Sequence, residues 1–114
     1  ARMRHTVREV SVAPEVMQYA MRVLLATHPD LPSGSQTAKQ YLRYGASPRG
    51  SISLDRTARA HALLAGRDFV SPEDIQAMVF DVLRHRIILS FEAEAAGIDQ
   101  DRVIQRILDV VAVA

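Results

Sequence analysis

The stretch that decides the fold is "SPRGSISLDRTARAHALLAGRDFVSPEDIQAMVFDVL", which runs over residues 47–83. It contains two Ser-Pro pairs, each followed by apolar residues at helical spacing, and Gly66 stands between the two segments. Serine is a favoured helix N-cap, proline suits the first helical position, and glycine commonly ends a helix. The stretch therefore predicts two consecutive helices, one from Ser47 to Ala65 and one that begins at Ser71.

The second of these helices has the clearest signals in the chain. Asp74 stands three residues after Ser71, which is the spacing of a capping box. Apolar residues then recur at the i, i+3, i+4, i+7 and i+8 positions of a buried helical stripe. These residues are Ile75, Met78, Val79, Val82 and Leu83.

The same signals extend the prediction to both ends of the chain. A helix is expected from Pro14 towards Thr27, and Asp99 is expected to cap a last helix. The Pro-, Gly- and Ser-rich segment 28–37 is expected to be a connection, with a short helical turn over 38–44. An apolar run near 86–91 fits either a strand or an extended connection. The predicted fold class is mainly α, a small bundle of about four helices.

Length and composition limit the classes of protein that the chain can represent. Its 114 residues, 48% of them hydrophobic, suit a single domain over 1–114 with one core. The net charge of +1 gives no general attraction to nucleic acid or membranes, and the absence of cysteine fits a cytoplasmic location. No apolar run reaches the length of a membrane-spanning helix. The chain begins with Ala1, which we interpret as a piece excised from a larger protein.

The sequence contains no complete catalytic motif that we recognise. It lacks a phosphate loop, a G-x-G-x-x-G fingerprint, an H-E-x-x-H zinc motif and a G-x-S-x-G nucleophile motif. The four histidines are far apart in the sequence, which favours surface or packing roles over a metal site. The acidic pairs 73–74 and 99–101 fall in first helical turns, where carboxylates act as caps. We therefore expect neither a metal site nor an active site formed by this chain alone.

Three arginines lie on one side of the helix that begins at Ser47: Arg49, Arg56 and Arg59. Arg56 and Arg59 are typical of a solvated basic face. Arg49 is unusual because a cation in the first turn opposes the helix dipole, at a cost of about 0.5 kcal/mol. A bound anion would offset that cost, since helix amides and a guanidinium together bind phosphate. Ser47 and Pro48 are expected to fix the start of the helix and thereby to aim Arg49.

Two further arginines, Arg84 and Arg86, follow the helix that begins at Ser71. Cations are favourable at a helix C-terminus, which accounts for both. The alternative is contact with a partner molecule, and Arg56 and Arg59 are candidates for the same role.

Three strings carry a family resemblance: "GASPRGSISL", "GRDFVSPEDI" and "VLRHRIILSFEAEAAGI". In order and spacing they resemble the C-terminal lid domain of MoxR-family AAA+ ATPases. The resemblance implies a helical lid that follows an ATPase core absent from this chain, and it implies that Arg49 is the sensor 2 arginine. In such ATPases this residue reaches the γ-phosphate of ATP and couples hydrolysis to movement of the lid.

The resemblance also implies partners and cofactors for the intact protein. These are ATP with Mg²⁺, the AAA+ core of the same chain, and neighbouring subunits of a homo-oligomeric ring. A chaperone-like role in assembling or activating other proteins is implied as well, with von Willebrand factor A domain proteins as partners. The fragment itself lacks the Walker A and Walker B motifs, so we expect no bound cofactor and no hydrolysis from it alone.

Two residues depart from the family pattern. Gly50 replaces the alanine that usually follows the arginine, and His61 stands where a small apolar residue is expected. Neither is expected to touch Arg49.

Two other interpretations stay open. The face formed by Arg49, Arg56 and Arg59 could bind phosphates of nucleic acid in a small histone-like module, although the lid interpretation does not call for a nucleic acid partner. Alternatively, the chain is a structural interaction domain in which Arg49 pairs with a carboxylate and never meets a nucleotide.

Overall fold

A computed structural model describes residues 10–47 and 49–113 of the chain. Within these residues the fold consists of six helices and one small antiparallel sheet, and its class is mainly α as predicted. The elements in chain order are α1 (Pro14–Leu25), α2 (Gln36–Tyr41), β1 (Leu42–Tyr44), α3 (Arg49–Leu64), α4 (Pro72–Leu83), β2 (Ile88–Leu89), α5 (Phe91–Ala95) and α6 (Gln100–Val110). In this part of the chain, no helix combines the length and the apolar character needed to cross a membrane.

The pair of helices predicted from residues 47–83 forms the centre of the fold. α3 and α4 share the most extensive contact between any two elements of the described residues. The face of α3 that meets its neighbours carries Leu54, Ala58 and Ala62, all of them buried, and the two alanines let α4 approach closely. Gly66 follows α3 with a φ of +83°, the left-handed conformation that ends helices.

The predicted caps of α4 and α6 are confirmed. The backbone N–H of Ser71 donates to the Asp74 carboxylate at 2.7 Å, and the two residues form a capping box at the start of α4. Asp99 accepts a hydrogen bond from the backbone N–H of Arg102 at 2.9 Å and so caps α6. Each cap satisfies a backbone donor that the first helical turn leaves without a partner.

The connecting segments differ in part from the prediction. α2 begins at Gln36, inside the segment expected to be a connection, because the side chain of Ser35 caps it by accepting from Ala38 N–H. The helical turn expected to reach residue 44 ends at Tyr41, where the chain becomes strand β1. The run near 86–91 contains a strand, since β2 pairs antiparallel with β1. The helix predicted from Pro14 towards Thr27 ends at Leu25.

α5 was not predicted. It has only five residues, and Ser90 caps it by accepting from the backbone N–H of Ala93 at 3.2 Å. A helix of five residues is too short to show apolar residues at the i, i+3, i+4 and i+7 positions. The cap is therefore its only signal in the sequence.

The core is one continuous cluster of buried apolar side chains contributed mainly by the longer helices. Its largest fully buried members are Tyr19, Leu54, Leu83, Ile104 and Ile107. Among the described residues, the buried polar side chains are those of Thr27 and Asp74. A parallel bridge between Ser11 and Phe69 ties the segment before α1 to the turn between α3 and α4.

Candidate functional site at the start of α3

The first turn of α3 places Arg49 at the surface. α3 begins at Arg49, and the backbone N–H of Gly50 donates to the carbonyl of Ser47 at 2.8 Å. Ser47 is exposed, and Pro48, the other residue predicted to support the helix start, lies outside the described residues. The first turn of α3 contains no acidic residue.

The segment that leads into α3 is fastened to the C-terminal end of α1 through Thr27. The buried Thr27 hydroxyl donates to the carbonyl of Leu24 at 2.6 Å and accepts from the backbone N–H of Ala46 at 3.0 Å. Gly45 lies so close to the backbone of Thr27 that a Cβ on Gly45 would be 2.3 Å from the Thr27 carbonyl oxygen. Because no real Cβ approaches backbone so closely, only glycine fits at this position, and the chain just before α3 has one fixed path.

A second attachment comes from Arg86, in the turn between α4 and β2. Its guanidinium donates to the Ser53 hydroxyl at 3.0 Å and to the Val82 carbonyl at 3.1 Å. Its Cδ also lies 3.7 Å from the place that a Cβ on Gly50 would occupy. The first two turns of α3 are therefore held on one side by α1 and on another by Arg86.

Arg49 is held at this site without an internal counter-charge. Its side chain is exposed and forms no hydrogen bond or ion pair within residues 10–47 and 49–113. The positive charge stands at the positive pole of α3, where a cation is unfavourable unless an anion approaches. The arrangement suits an anionic ligand, since the guanidinium offers paired donors beside helix amides.

Arg56 and Arg59, the other two arginines of α3 considered above, do not form one continuous basic face with Arg49. Arg59 is half-buried, and its Nε donates to the Asp55 carboxylate at 3.0 Å while its Nη1 donates to the Val10 carbonyl. Its charge is therefore largely offset within the domain. Arg56 is exposed. The basic stripe expected for nucleic acid binding is thus interrupted by an acidic side chain and by an arginine already engaged in the fold.

Arg84 and Arg86 face different parts of the molecule although they are two residues apart. Arg84 donates to Asp101 of α6 at 2.7 and 3.2 Å and to Asp81 of α4 at 3.2 Å. Arg86 binds the last turn of α4 and Ser53, as described above. Contact of Arg56, Arg59, Arg84 or Arg86 with a partner molecule stays a prediction.

A second polar cluster surrounds the buried carboxylate of Asp74. Arg67 donates to both of its oxygens, at 2.7 and 2.8 Å, and the Ser71 hydroxyl donates at 3.0 Å. His61 Nδ1 lies 2.6 Å from Asp74 Oδ1. The hydrogen bonds from Arg67 hold the pKa of the Asp74 carboxyl well below its ordinary value, and those from Ser71 and His61 lower it further, although burial acts in the opposite direction.

The Asp74 cluster explains one departure from the family pattern and adds a residue that sequence reasoning missed. His61, expected to be a small apolar residue, instead connects α3 to the start of α4. The capping role predicted for Asp74 is confirmed, but its ion pair with Arg67 was not anticipated. A signal was present, because an arginine four residues before a capping box lies within reach of the capping carboxylate. All of these contacts are internal, and the part of the chain that the structure describes contains no group of three or more metal-ligating side chains.

An apolar groove of about 360 Å³ adjoins the start of α3. It runs between α1 and α3 and begins at Ser51 and Ile52, in the first turns of α3 after Arg49. Met17 and Met21 of α1 are half-exposed along its length. An apolar surface therefore lies about one helical turn from the Arg49 cation.

The fold agrees with comparisons to known proteins. The AAA lid domain family matches residues 35–107. Chaperone MoxR1 of Mycobacterium tuberculosis is 40% identical over 97 residues, which cover 85% of this chain and 26% of that protein. Protein MoxR of Paracoccus denitrificans is 49% identical over 53 residues, or 46% of this chain and 16% of that protein.

A solved structure also shows that the fold is similar to that of a known protein. The crystal structure of a candidate ATPase of Cytophaga hutchinsonii superposes with a TM-score of 0.85 at 39% identity. The match covers 93% of this chain and 32% of that one. These similarities define a helical lid domain of the AAA type. The chain spans a third or less of the relatives it matches. It belongs to the AAA lid domain family and, within it, to the MoxR family of AAA+ ATPases.

Proposed function

We propose that this chain is the nucleotide-sensing lid of a MoxR-like AAA+ ATPase and that Arg49 is its sensor 2 arginine. In this role Arg49 contacts the γ-phosphate of ATP, stabilises charge on the transferring phosphoryl group and couples hydrolysis to movement of the lid. The observation that carries the proposal is the exposed Arg49 cation at the positive pole of α3, with no internal counter-charge among the described residues.

The surroundings of Arg49 support a phosphate more than a carboxylate partner within the domain. The first turn of α3 has no acidic residue, and Asp55, in the next turn, is paired with Arg59. The site is also anchored through Thr27 and Arg86, so the guanidinium is attached to well-supported backbone. Such support lowers the cost of orienting the guanidinium when it meets the transition state.

The groove beside Ile52 supports a nucleotide in particular. Small-molecule sites combine an apolar surface with a few placed polar groups, and a nucleotide has an apolar base joined to charged phosphates. The groove and Arg49 offer these two features about one helical turn apart. The chain has no motif for Mg²⁺, which would be held together with ATP by the ATPase core.

The proposal extends to the intact protein. There the lid joins the AAA+ core of the same chain and contacts neighbouring subunits of a homo-oligomeric ring. The ring acts in the cytoplasm as a chaperone that assembles or activates other proteins, with von Willebrand factor A domain proteins as its partners. The M. tuberculosis relative is named a chaperone, and its 40% identity over most of this chain supports the extension.

The proposal is tested by Arg49→Ala in the intact ATPase subunit that contains this segment. We expect ATP turnover to fall by about 100-fold, the usual effect of removing one group that stabilises transition-state charge. The melting temperature should change little, because Arg49 is exposed and surface substitutions rarely alter stability by more than about 0.5 kcal/mol. Steady-state ATPase assays and thermal melts give both quantities.

Arg56→Ala is the matched control, since Arg56 is an exposed arginine of the same helix two turns further on. We expect it to leave turnover within about twofold of the unchanged protein, as for other surface sites. Unchanged turnover in Arg49→Ala would contradict the sensor role and favour a structural interaction domain. Duplex DNA binding that weakens steeply with salt and depends on Arg56 would favour the nucleic acid interpretation.

A further inference from the structure

We propose that Arg86 is the positioning residue for Arg49: it clamps the first two turns of α3 to the end of α4 and so fixes the direction of the Arg49 guanidinium. The inference rests on the role proposed above for Arg49. It assigns to Arg86 an effect on ATP hydrolysis that is exerted through another residue, without contact with the nucleotide.

The two hydrogen bonds of Arg86 join the last turn of α4 to the first turns of α3. One nitrogen donates to the Val82 carbonyl in the last turn of α4. The other donates to the hydroxyl of Ser53, which lies one turn after Arg49 on the same side of α3. Because a guanidinium is planar and rigid, both bonds together fix the separation and the orientation of the two helix segments.

The first turn of α3 needs such support. Gly50 stands directly after Arg49, and glycine destabilises a helical position by about 1 kcal/mol relative to alanine. The buried Gly50 faces Leu24, Ala46 and the Cδ of Arg86, so the aliphatic part of Arg86 also covers the flexible position itself. Arg86 therefore restrains the turn both by packing and through Ser53.

The positive charge of Arg86 is tolerated near the start of α3 because Arg86 also binds the Val82 carbonyl at the end of α4. A cation beside the N-terminal turns of α3 is unfavourable, but the same cation binds a C-terminal carbonyl of α4, where the helix dipole attracts it. A neutral side chain could not use that attraction. Lysine could not donate along two fixed directions, so arginine suits this position in a way that lysine does not.

Arg84 provides a matched control for Arg86. It lies two residues before Arg86 and donates three hydrogen bonds, but its partners Asp101 and Asp81 belong to α6 and α4 and not to α3. Arg84→Gln therefore removes a comparable number of hydrogen bonds without releasing the start of α3.

The test uses the intact ATPase subunit and measures kcat and KM for ATP together with the melting temperature. We expect Arg86→Gln to lower kcat by about tenfold, since small misplacements of a charged group have effects up to about 100-fold. KM should stay within about twofold. Arg84→Gln should change kcat by the same factor whether or not Arg49→Ala is present, and Arg86→Lys should recover only part of the lost rate.

The decisive measurement is a double-mutant cycle between Arg86 and Arg49. If Arg86 acts through Arg49, then Arg86→Gln has no further effect on kcat in a protein that already carries Arg49→Ala. If Arg86→Gln lowers kcat by the same factor in both backgrounds, Arg86 supports the fold generally and the proposal is wrong. Ser53→Ala removes only the α3 end of the clamp and should show a smaller loss with the same dependence on Arg49, even if Arg86→Gln folds poorly.

The outcomes separate this inference from the proposed function. An Arg49→Ala protein with normal turnover overturns both. If Arg49→Ala lowers ATP turnover but Arg86→Gln leaves it unchanged, only the role of Arg86 is overturned.

Discussion

The carboxylate of Asp74 combines two tasks at one residue. It completes the capping box at the start of α4, and it binds Arg67 and His61, which lie at or near the end of α3. Because the carboxylate is fully buried, each partner also offsets part of the cost of removing a charge from water. The turn between α3 and α4 is therefore held by one side chain.

Asp74→Asn is expected to lower the free energy of unfolding by about 2 to 4 kcal/mol, because it leaves Arg67 without a counter-charge and removes acceptors from Ser71. Glu73→Gln, at the neighbouring exposed position, is expected to change it by no more than about 0.5 kcal/mol. Urea unfolding of the two variants measures the difference. Equal stability of both would mean that the Asp74 cluster contributes nothing to the fold.

The same residue gives the unchanged protein a defined response to acid. The pKa of Asp74 is lowered in the folded state, so its contribution to stability is present above its unfolded pKa of about 3.9 and is lost as the pH falls towards the folded pKa. Unfolding measured at pH 6 and again near pH 3 should show a steeper loss of stability in the unchanged protein than in Asp74→Asn. A parallel decline in both would place the acid sensitivity elsewhere.

Residue roles divide by whether they depend on local or distant partners. The position of Arg49 in the first turn of α3 follows from the Ser-Pro signal and could be read from the sequence. The contacts of Arg86 with Ser53 and of His61 with Asp74 join residues on different helices, so spacing along one helix could not indicate them. Tertiary packing alone brings these pairs together.

At the scale of elements, α3 contains a replaceable glycine and is followed by a required one. A Cβ on Gly50 would meet Ala46 at 3.4 Å and Leu24 at 3.5 Å, which is close to ordinary contact. A Cβ on Gly66 would meet nothing within 4 Å, but the φ of +83° there is unfavourable for any other residue.

Gly50→Ala is therefore expected to raise the free energy of unfolding by about 0.5 to 1 kcal/mol through helix propensity. Gly66→Ala is expected to lower it by about 1 kcal/mol, because alanine is strained in the left-handed region. Thermal unfolding of the two variants and of the unchanged protein shows whether each substitution raises or lowers the free energy of unfolding as expected. A destabilised Gly50→Ala would show that the Leu24 and Ala46 contacts are too tight to accept a methyl group.

The longer elements could be predicted from caps and apolar periodicity, as α4 and α6 show through Asp74 and Asp99. The short ones could be predicted only in part, as a helical turn over 38–44 and an apolar run near 86–91 that fits either a strand or an extended connection. β1 and β2 are stabilised by pairing with each other, in the register Leu42 with Leu89, and neither has enough residues to display an alternating pattern. Their pairing is a long-range property of the chain.

For the whole molecule, the family match predicts a clear limit on activity. The sequence has no phosphate loop, and the chain spans a third or less of its relatives. We expect the purified 114 residues to fold and to give no detectable ATP turnover, with weak nucleotide binding at most. Phosphate release assays at high protein concentration, beside a circular dichroism spectrum that verifies helical structure, test this. Turnover above a buffer control would mean that the chain contains catalytic groups that its motifs do not reveal.

The parallel bridge between Ser11 and Phe69 has a consequence for how the domain moves. Together with the contacts of Thr27 and Arg86 at the start of α3, it ties the segments on both sides of that helix to the rest of the domain, so we expect α3 to move with the domain as one body. The 16 residues of α3 make it about 24 Å long, and a rotation of the whole domain by about 10° about the far end of that helix would carry Arg49 through about 4 Å. Under the role proposed for Arg49, this displacement exceeds the length of a hydrogen bond and would be enough to bring the guanidinium to a phosphate or to withdraw it.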